Sequence, residues 1–153
     1  MNVDTTELRE MFEVQNEIQI LFPHVFESAL VEEGITIPQA ITLKTIKQEG
    51  PTCRMSDLAA VRFLTPAAMT GVVDRLIHLG LVERKFDEKD RRVILLSLTR
   101  RGEAATSTIE KKIEAIMLRF FESVPKADRA ASLRVFKKLA QYLKEQLNAP
   151  KKK

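Results

Sequence analysis

The sequence has little of what usually carries reaction chemistry. It holds one cysteine, Cys53, and two histidines, His24 and His78. A single cysteine excludes an internal disulfide and fits a reducing compartment. Cys53 and the histidines lie far apart and make no zinc-binding spacing, so neither a metal nor another cofactor is expected. No glycine-rich phosphate loop and no nucleophile–base pair can be picked out, so no catalytic residue is assigned and an enzyme is the least favoured class. No apolar run is long enough to span a bilayer. The opening stretch MNVDTTELREMFEVQ is acidic and has no signal-peptide apolar block. These absences place the chain in the cytoplasm, without a membrane partner. Internal repeats and low-complexity domains are missing too.

What remains is ordinary in amount and uneven in arrangement. The chain has 153 residues, 44% of them hydrophobic and 30% charged, enough to bury a core as a single domain. The net charge is +4. Residues 1–49 set Arg9, Lys44 and Lys47 against nine acids, whereas residues 75–101 hold eight Lys/Arg against Glu83, Asp87, Glu88 and Asp90. The basic stretch points to a polyanionic partner; on charge alone, a solvated turn explains it equally well.

Periodicity predicts six helices. Leu8, Phe12, Ile18, Leu21, Phe22, Val25, Phe26 and Leu30 recur at helical spacing from Thr5 to Val31, with Pro23 expected to kink or interrupt the helix. This segment is richly apolar for a terminus, which hints at a partner surface. Pro38 opens a second helix that Gly50-Pro51 ends. A short third helix spans Met55 to Val61. Thr65 as N-cap and Pro66 as first residue begin a fourth, with Met69, Val72, Val73, Leu76, Ile77 and Leu79 as its apolar stripe. Strands are expected at Leu81–Phe86 and Val93–Leu98, joined by the wholly charged loop Asp87–Arg92, which is longer than a tight hairpin needs. A fifth helix follows Thr99, with Ile109, Ile113, Ile116, Met117, Phe120 and Phe121 as core positions. Pro125 separates it from a sixth, whose stripe is Leu133, Phe136, Leu139, Ala140, Leu143 and Leu147. The third and fourth helices form a helix-turn-helix, and the basic hairpin beside it suits a DNA minor groove while the helix enters the major groove.

From Ile37 to Gly102 the order and spacing of several short motifs carry a specific resemblance. They are Leu58-Ala59, Val73-Asp74-Arg75-Leu76, Gly80-Leu81-Val82-Glu83-Arg84, Asp90-Arg91-Arg92 and Leu98-Thr99-Arg100-Arg101-Gly102. Together they resemble the MarR family of bacterial transcription regulators. The resemblance implies a mainly α (α+β) winged helix-turn-helix with six helices and a two- to three-stranded wing hairpin. It implies that residues 1–34 and 123–148 form dimerisation helices, 35–102 the DNA-binding lobe and 103–122 the connecting helix. Residues 149–153 are left as a disordered basic tail.

The resemblance also distributes roles. Thr65 and Pro66 open the recognition helix, whose N-terminus suits a phosphate. Ala67, Ala68 and Thr70 lie where base contact is made, although the same residues also suit simple surface packing. Many family members carry arginine or another long polar residue where this chain has Gly71, so readout is expected to lean on DNA shape. Arg75 reaches a phosphate or pairs with Asp74 or Asp90. Arg92 enters the minor groove, Asp90 braces the wing, and Lys89 and Arg91 add phosphate contacts. Phe22, Phe26, Ile41 and Thr45 would line a crevice for a small aromatic or anionic effector, or else are core. Peroxide-sensing relatives carry a reactive cysteine in the first helix; Cys53 is not there, and an isolated cysteine is ordinarily buried and inert, although the neighbouring Arg54 could lower its pKa and keeps a redox-sensing role open. The implied function is a ligand-responsive repressor acting as a homodimer on a pseudo-palindromic operator in double-stranded DNA, associated with the nucleoid. The alternative is a low-specificity nucleoid-architectural or counter-silencing protein.

Overall fold

The computed structural model describes residues 4–148; the expected basic tail, 149–153, lies outside them. Six helices and three short strands follow in the order α1 (Thr5–Val31), α2 (Ile37–Glu49), β1 (Cys53–Arg54), α3 (Met55–Val61), α4 (Pro66–His78), β2 (Val82–Phe86), β3 (Ile94–Leu98), α5 (Arg100–Ser123) and α6 (Lys126–Asn148). The strands form one antiparallel sheet in the order β1-β3-β2. Val82 pairs with Leu98 and Phe86 with Ile94, so the hairpin projects Asp87–Arg92 from its tip. On the other edge Cys53 pairs with Leu96 and Arg54 with Leu95.

The chain divides between Ile113 and Glu114 into two compact units. The first holds the core. Leu43 and Ile46 of α2, Leu58 of α3, Met69, Val73 and Leu76 of α4, and Leu96 of β3 are fully or almost fully buried together. Leu30, Leu81, Val82, Ala105 and Ile109 join the same cluster. In α4 the buried residues fall four and three positions apart, which turns the opposite face to solvent. Polar residues are buried only where they are satisfied: Thr42 and Thr45 donate to the carbonyls of Pro38 and Ile41, and Thr106 to that of Gly102.

Three expectations are corrected here. Pro23 does not interrupt α1, which runs unbroken through it. Proline removes one donor to the carbonyl of residue 19, and Gln19 is exposed, so water can take its place. Burial of Phe26, Ala29 and Leu30 then holds the helix beyond it. Helix α2 begins one residue before Pro38, with the Thr36 N–H donating to Gln39 Oε1 at 2.8 Å. Two of the six expected core positions of α5, Phe120 and Phe121, are exposed.

The second unit contains the end of α5, the turn at Val124-Pro125 and α6. Within it Val124 N–H donates to the Phe121 carbonyl at 3.2 Å, and Ser123 Oγ to that of Phe120 at 2.6 Å. Helix α6 has no buried residue. Its stripe, including Leu133, Phe136, Leu139, Leu143 and Leu147, is exposed. In the first unit, α1 likewise exposes Leu8, Met11, Phe12, Ile18, Leu21 and Phe22.

Candidate nucleic-acid interface

Helix α4 presents its face through small side chains. Thr65 is a true N-cap: its Oγ1 accepts from Ala68 N–H at 3.2 Å. Met69 N–H bonds to the Thr65 carbonyl at 3.0 Å, and Pro66 has no N–H to offer. Of the first-turn donors, the Ala67 N–H remains for an outside acceptor such as a phosphate. Pro66, Ala67, Ala68 and Gly71 are exposed along one side, and Thr70 is half-buried with its hydroxyl donating to the Pro66 carbonyl at 2.9 Å. Nothing stands within 4 Å of where a Gly71 β-carbon would sit. The glycine leaves a bare strip of backbone that a flat partner can approach closely.

Arg75 is exposed on the same helix. Neither of its two expected partners is available. Asp74 pairs with Arg84 Nη2 at 2.8 Å, tying the middle of α4 to β2, and Asp90 is taken by Arg92. Among the described residues Arg75 has no ion-pair partner, which leaves its charge for an external anion. The sequence reading missed Arg84 as the tether. Its signal was present in the ten-residue separation from Asp74, which spans one helix end and one turn.

The wing is built by two aspartates. Asp87 Oδ1 accepts from the backbone N–H groups of Lys89 at 2.8 Å and Asp90 at 3.0 Å, folding the loop onto itself. The Asp87 N–H bonds to the Val93 carbonyl, and the Val93 N–H to that of Asp90. Asp90 then receives Arg92 three times: Oδ1 from the backbone N–H and from Nε, both at 3.0 Å, and Oδ2 from Nη2 at 3.1 Å. This bidentate pair fixes the guanidinium plane, yet the Arg92 side chain is 91% exposed. Arg92 is thus both held and presented. The Arg92 hydrogen bonds hold the Asp90 carboxyl below its ordinary value, and Asp90 in turn raises that of Arg92. Lys89 and Arg91 are exposed beside it, and Arg91 lines an open hollow with Phe86, Asp87 and Glu88. Asp87 ties down the loop backbone at Lys89 and Asp90 and was assigned no role from sequence; an aspartate two and three residues before backbone donors in a charged loop was the available signal.

The other candidates lie away from this face. Phe26 and Thr45 are buried, while Phe22 is exposed with its ring 4.1 Å from that of Phe26 and tilted by 55°. Ile41 is half-buried, and its carbonyl accepts the Thr45 hydroxyl at 2.9 Å. Cys53 is buried in β1, and burial, followed by the charges of Glu49 and Asp57, pushes its thiol up to about 11. Such a thiol stays protonated near neutrality and is a poor nucleophile. Among the described residues no cluster of three or more His, Cys, Asp or Glu could hold a metal, and no helix is long and apolar enough to cross a membrane.

Comparison with known proteins agrees with this geometry. A sequence profile described as MarR family matches residues 33–93. The chain is 32% identical over 135 residues to the HTH-type transcriptional repressor MdtR of Bacillus subtilis, covering 86% of each chain. Its fold is similar to the crystal structure of the YusO protein of B. subtilis, with TM-score 0.67 and 29% identity, covering 91% of this chain and 99% of that one. It is also similar to a mutant MarR from E. coli crystallised with operator DNA, with TM-score 0.73 and 20% identity, covering 90% and 99%; that likeness bears on the fold alone. With a recognition helix and a braced basic wing on a matching fold, the chain belongs to the MarR family of winged helix-turn-helix transcription regulators.

Proposed function

We propose that the protein is a transcriptional repressor that binds a pseudo-palindromic operator as a homodimer. One observation carries the reading: a guanidinium held in a fixed plane by Asp90 and still 91% exposed, on a hairpin beside a helix with a bare outer face. An arginine presented in this way suits a narrow minor groove, where the negative potential is enhanced. The α4 face, Thr65 to Gly71, would enter the adjacent major groove, with Ala67, Ala68 and Thr70 near base edges and the Ala67 N–H and Arg75 toward phosphates. Few long side chains reach outward there, so affinity would draw heavily on the cations of the wing and on DNA shape. The HTH-type transcriptional repressor MdtR of B. subtilis supports, by similarity, both the sign of regulation and DNA as the class of partner.

The second copy is supported by the exposed apolar faces of α1 and of α6, each lined by several large apolar side chains left open to solvent. Burying such faces against their counterparts would place two recognition helices in successive major grooves, about 34 Å apart. An aromatic or anionic effector would act by favouring a spacing of the two lobes that no longer fits DNA. The reading is tested by titrating the protein with duplex carrying its own promoter and with random duplex, across a range of salt. A preference on the order of 10³ or more for the promoter is expected, with affinity falling by several counterions' worth of slope. Equal binding to both duplexes would leave only the architectural alternative, and a flat salt response would remove the wing from the interface.

A further inference from the structure

We propose that Thr99, Arg101 and Gly102 are positioning residues that set the tilt of the recognition helix on α5, and through it the half-site spacing that the protein accepts. The inference rests on the homodimeric reading above.

The carbonyls of Arg75, Leu76 and Ile77 in the last turn of α4 are taken by the N–H groups of Leu79, Leu81 and Gly80. After α4 ends, three consecutive carbonyls are taken up by the opening of α5. Arg101 Nη1 donates to the Leu79 carbonyl at 3.0 Å, Thr99 Oγ1 to that of Gly80 at 2.7 Å, and Thr99 N–H to that of Leu81 at 3.1 Å. The Thr99 hydroxyl also accepts from Gly102 N–H at 3.0 Å, so it caps α5 while it holds the end of α4. Gly80 turns the chain between them with φ of 69°. Gly102 lies so close to Leu81 that a β-carbon would overlap the Leu81 carbonyl oxygen, with no flexible side chain to give way. The motif Leu98-Thr99-Arg100-Arg101-Gly102 therefore makes a clasp, and none of its bonds is needed to touch DNA.

Apolar packing holds α4 in the core but is non-directional, whereas hydrogen bonds at these distances fix an angle. The opening of α5 is itself anchored: Ala105, Thr106 and Ile109 are buried, and Lys47 Nζ meets Glu110 Oε2 at 2.6 Å. Helix α4 has 13 residues, a lever of roughly 20 Å. A tilt of about five degrees at the clasp moves the DNA-facing end by roughly 2 Å over such a lever, enough to break base contacts.

The test is the dependence of affinity on half-site spacing, measured with duplexes whose half-sites are moved apart or together by one or two base pairs. The parent protein is expected to lose about tenfold or more per base pair of misfit. Thr99→Val, which keeps the shape and removes the hydroxyl, should lose about threefold or less per base pair, whereas Thr99→Ser should restore the parent curve. Arg101→Met gives the same comparison from the surface if Thr99→Val does not fold. Variants that bind more weakly at every spacing while keeping the parent's curve would show a merely structural role and overturn the proposal, as would variants indistinguishable from the parent. A parent with no spacing preference would instead overturn the two-half-site reading, and the inference with it.

Discussion

At the scale of the residue, Arg92 is where exposure and order meet. A free surface arginine samples many rotamers, and binding must then offset the entropy of ordering it; Asp90 has already done so. Arg92→Ala should therefore weaken duplex binding on the order of tenfold or more and reduce the salt slope by about one, as read by fluorescence anisotropy against salt. Unchanged affinity would reject its role. The brace also has a defined pH range. Because the Asp90 carboxyl is lowered in the folded wing, its contribution is fully present above the ordinary aspartate value of 3.8 and is lost as pH falls through the lowered value. The Arg92 Nε–H resonance should keep its hydrogen-bonded shift at that ordinary value and move toward that of a free arginine only below it. A free-arginine shift already at pH 6 would show that the pair does not hold in solution.

At the scale of the element, α4 exposes a glycine in mid-helix with open space around it. Gly71→Ala should stabilise the protein by about 1 kcal/mol, since it removes backbone freedom from the unfolded chain and meets nothing in the folded one. Denaturant unfolding checks this: the midpoint should rise with the slope unchanged, and a fall would mean that Gly71 is packed. The same element shows what sequence made legible. Thr65, Pro66 and the spacing of Met69, Val73 and Leu76 gave its start and its buried face, because capping and periodicity are local. The wing was legible as a charged loop between two alternating strands, but its internal order was not. Nothing local says that Asp87 turns inward to two backbone donors while Asp90 turns to Arg92. Strand β1 was missed for a related reason: two residues carry no alternation, and its only signal is pairing with Leu95 and Leu96 some forty positions later. The Arg75 pairings failed because Arg84 and Arg92 stand closer to the two aspartates.

At the scale of the whole molecule, the apolar stripes of α1 and α6 were legible as stripes, and in α5 only Phe120 and Phe121 were misread as core, since periodicity tells which residues share a face and not what covers it. If a second copy covers them, sedimentation at micromolar concentration should give twice the chain mass of 17.4 kDa, and thermal stability should rise with protein concentration. Phe136→Asp should yield monomers that lose operator affinity while keeping the helical signal; a stable monomeric parent would undo the arrangement. The buried thiol of Cys53 then gives the molecule a built-in clock. It is the chain's one sulfhydryl, so any uptake of a thiol reagent counts openings of the β1 edge and nothing else. Modification should run on the order of 10³ or more slower than for an unfolded thiol. If Cys53 is reached by local opening of the β1 edge, its rate should change little when subunits are diluted apart, because separating two copies would bare α1 and α6 and leave the pairing of Cys53 with Leu96 in place. One reagent would thus time the opening of the DNA-reading lobe separately from the parting of the dimer.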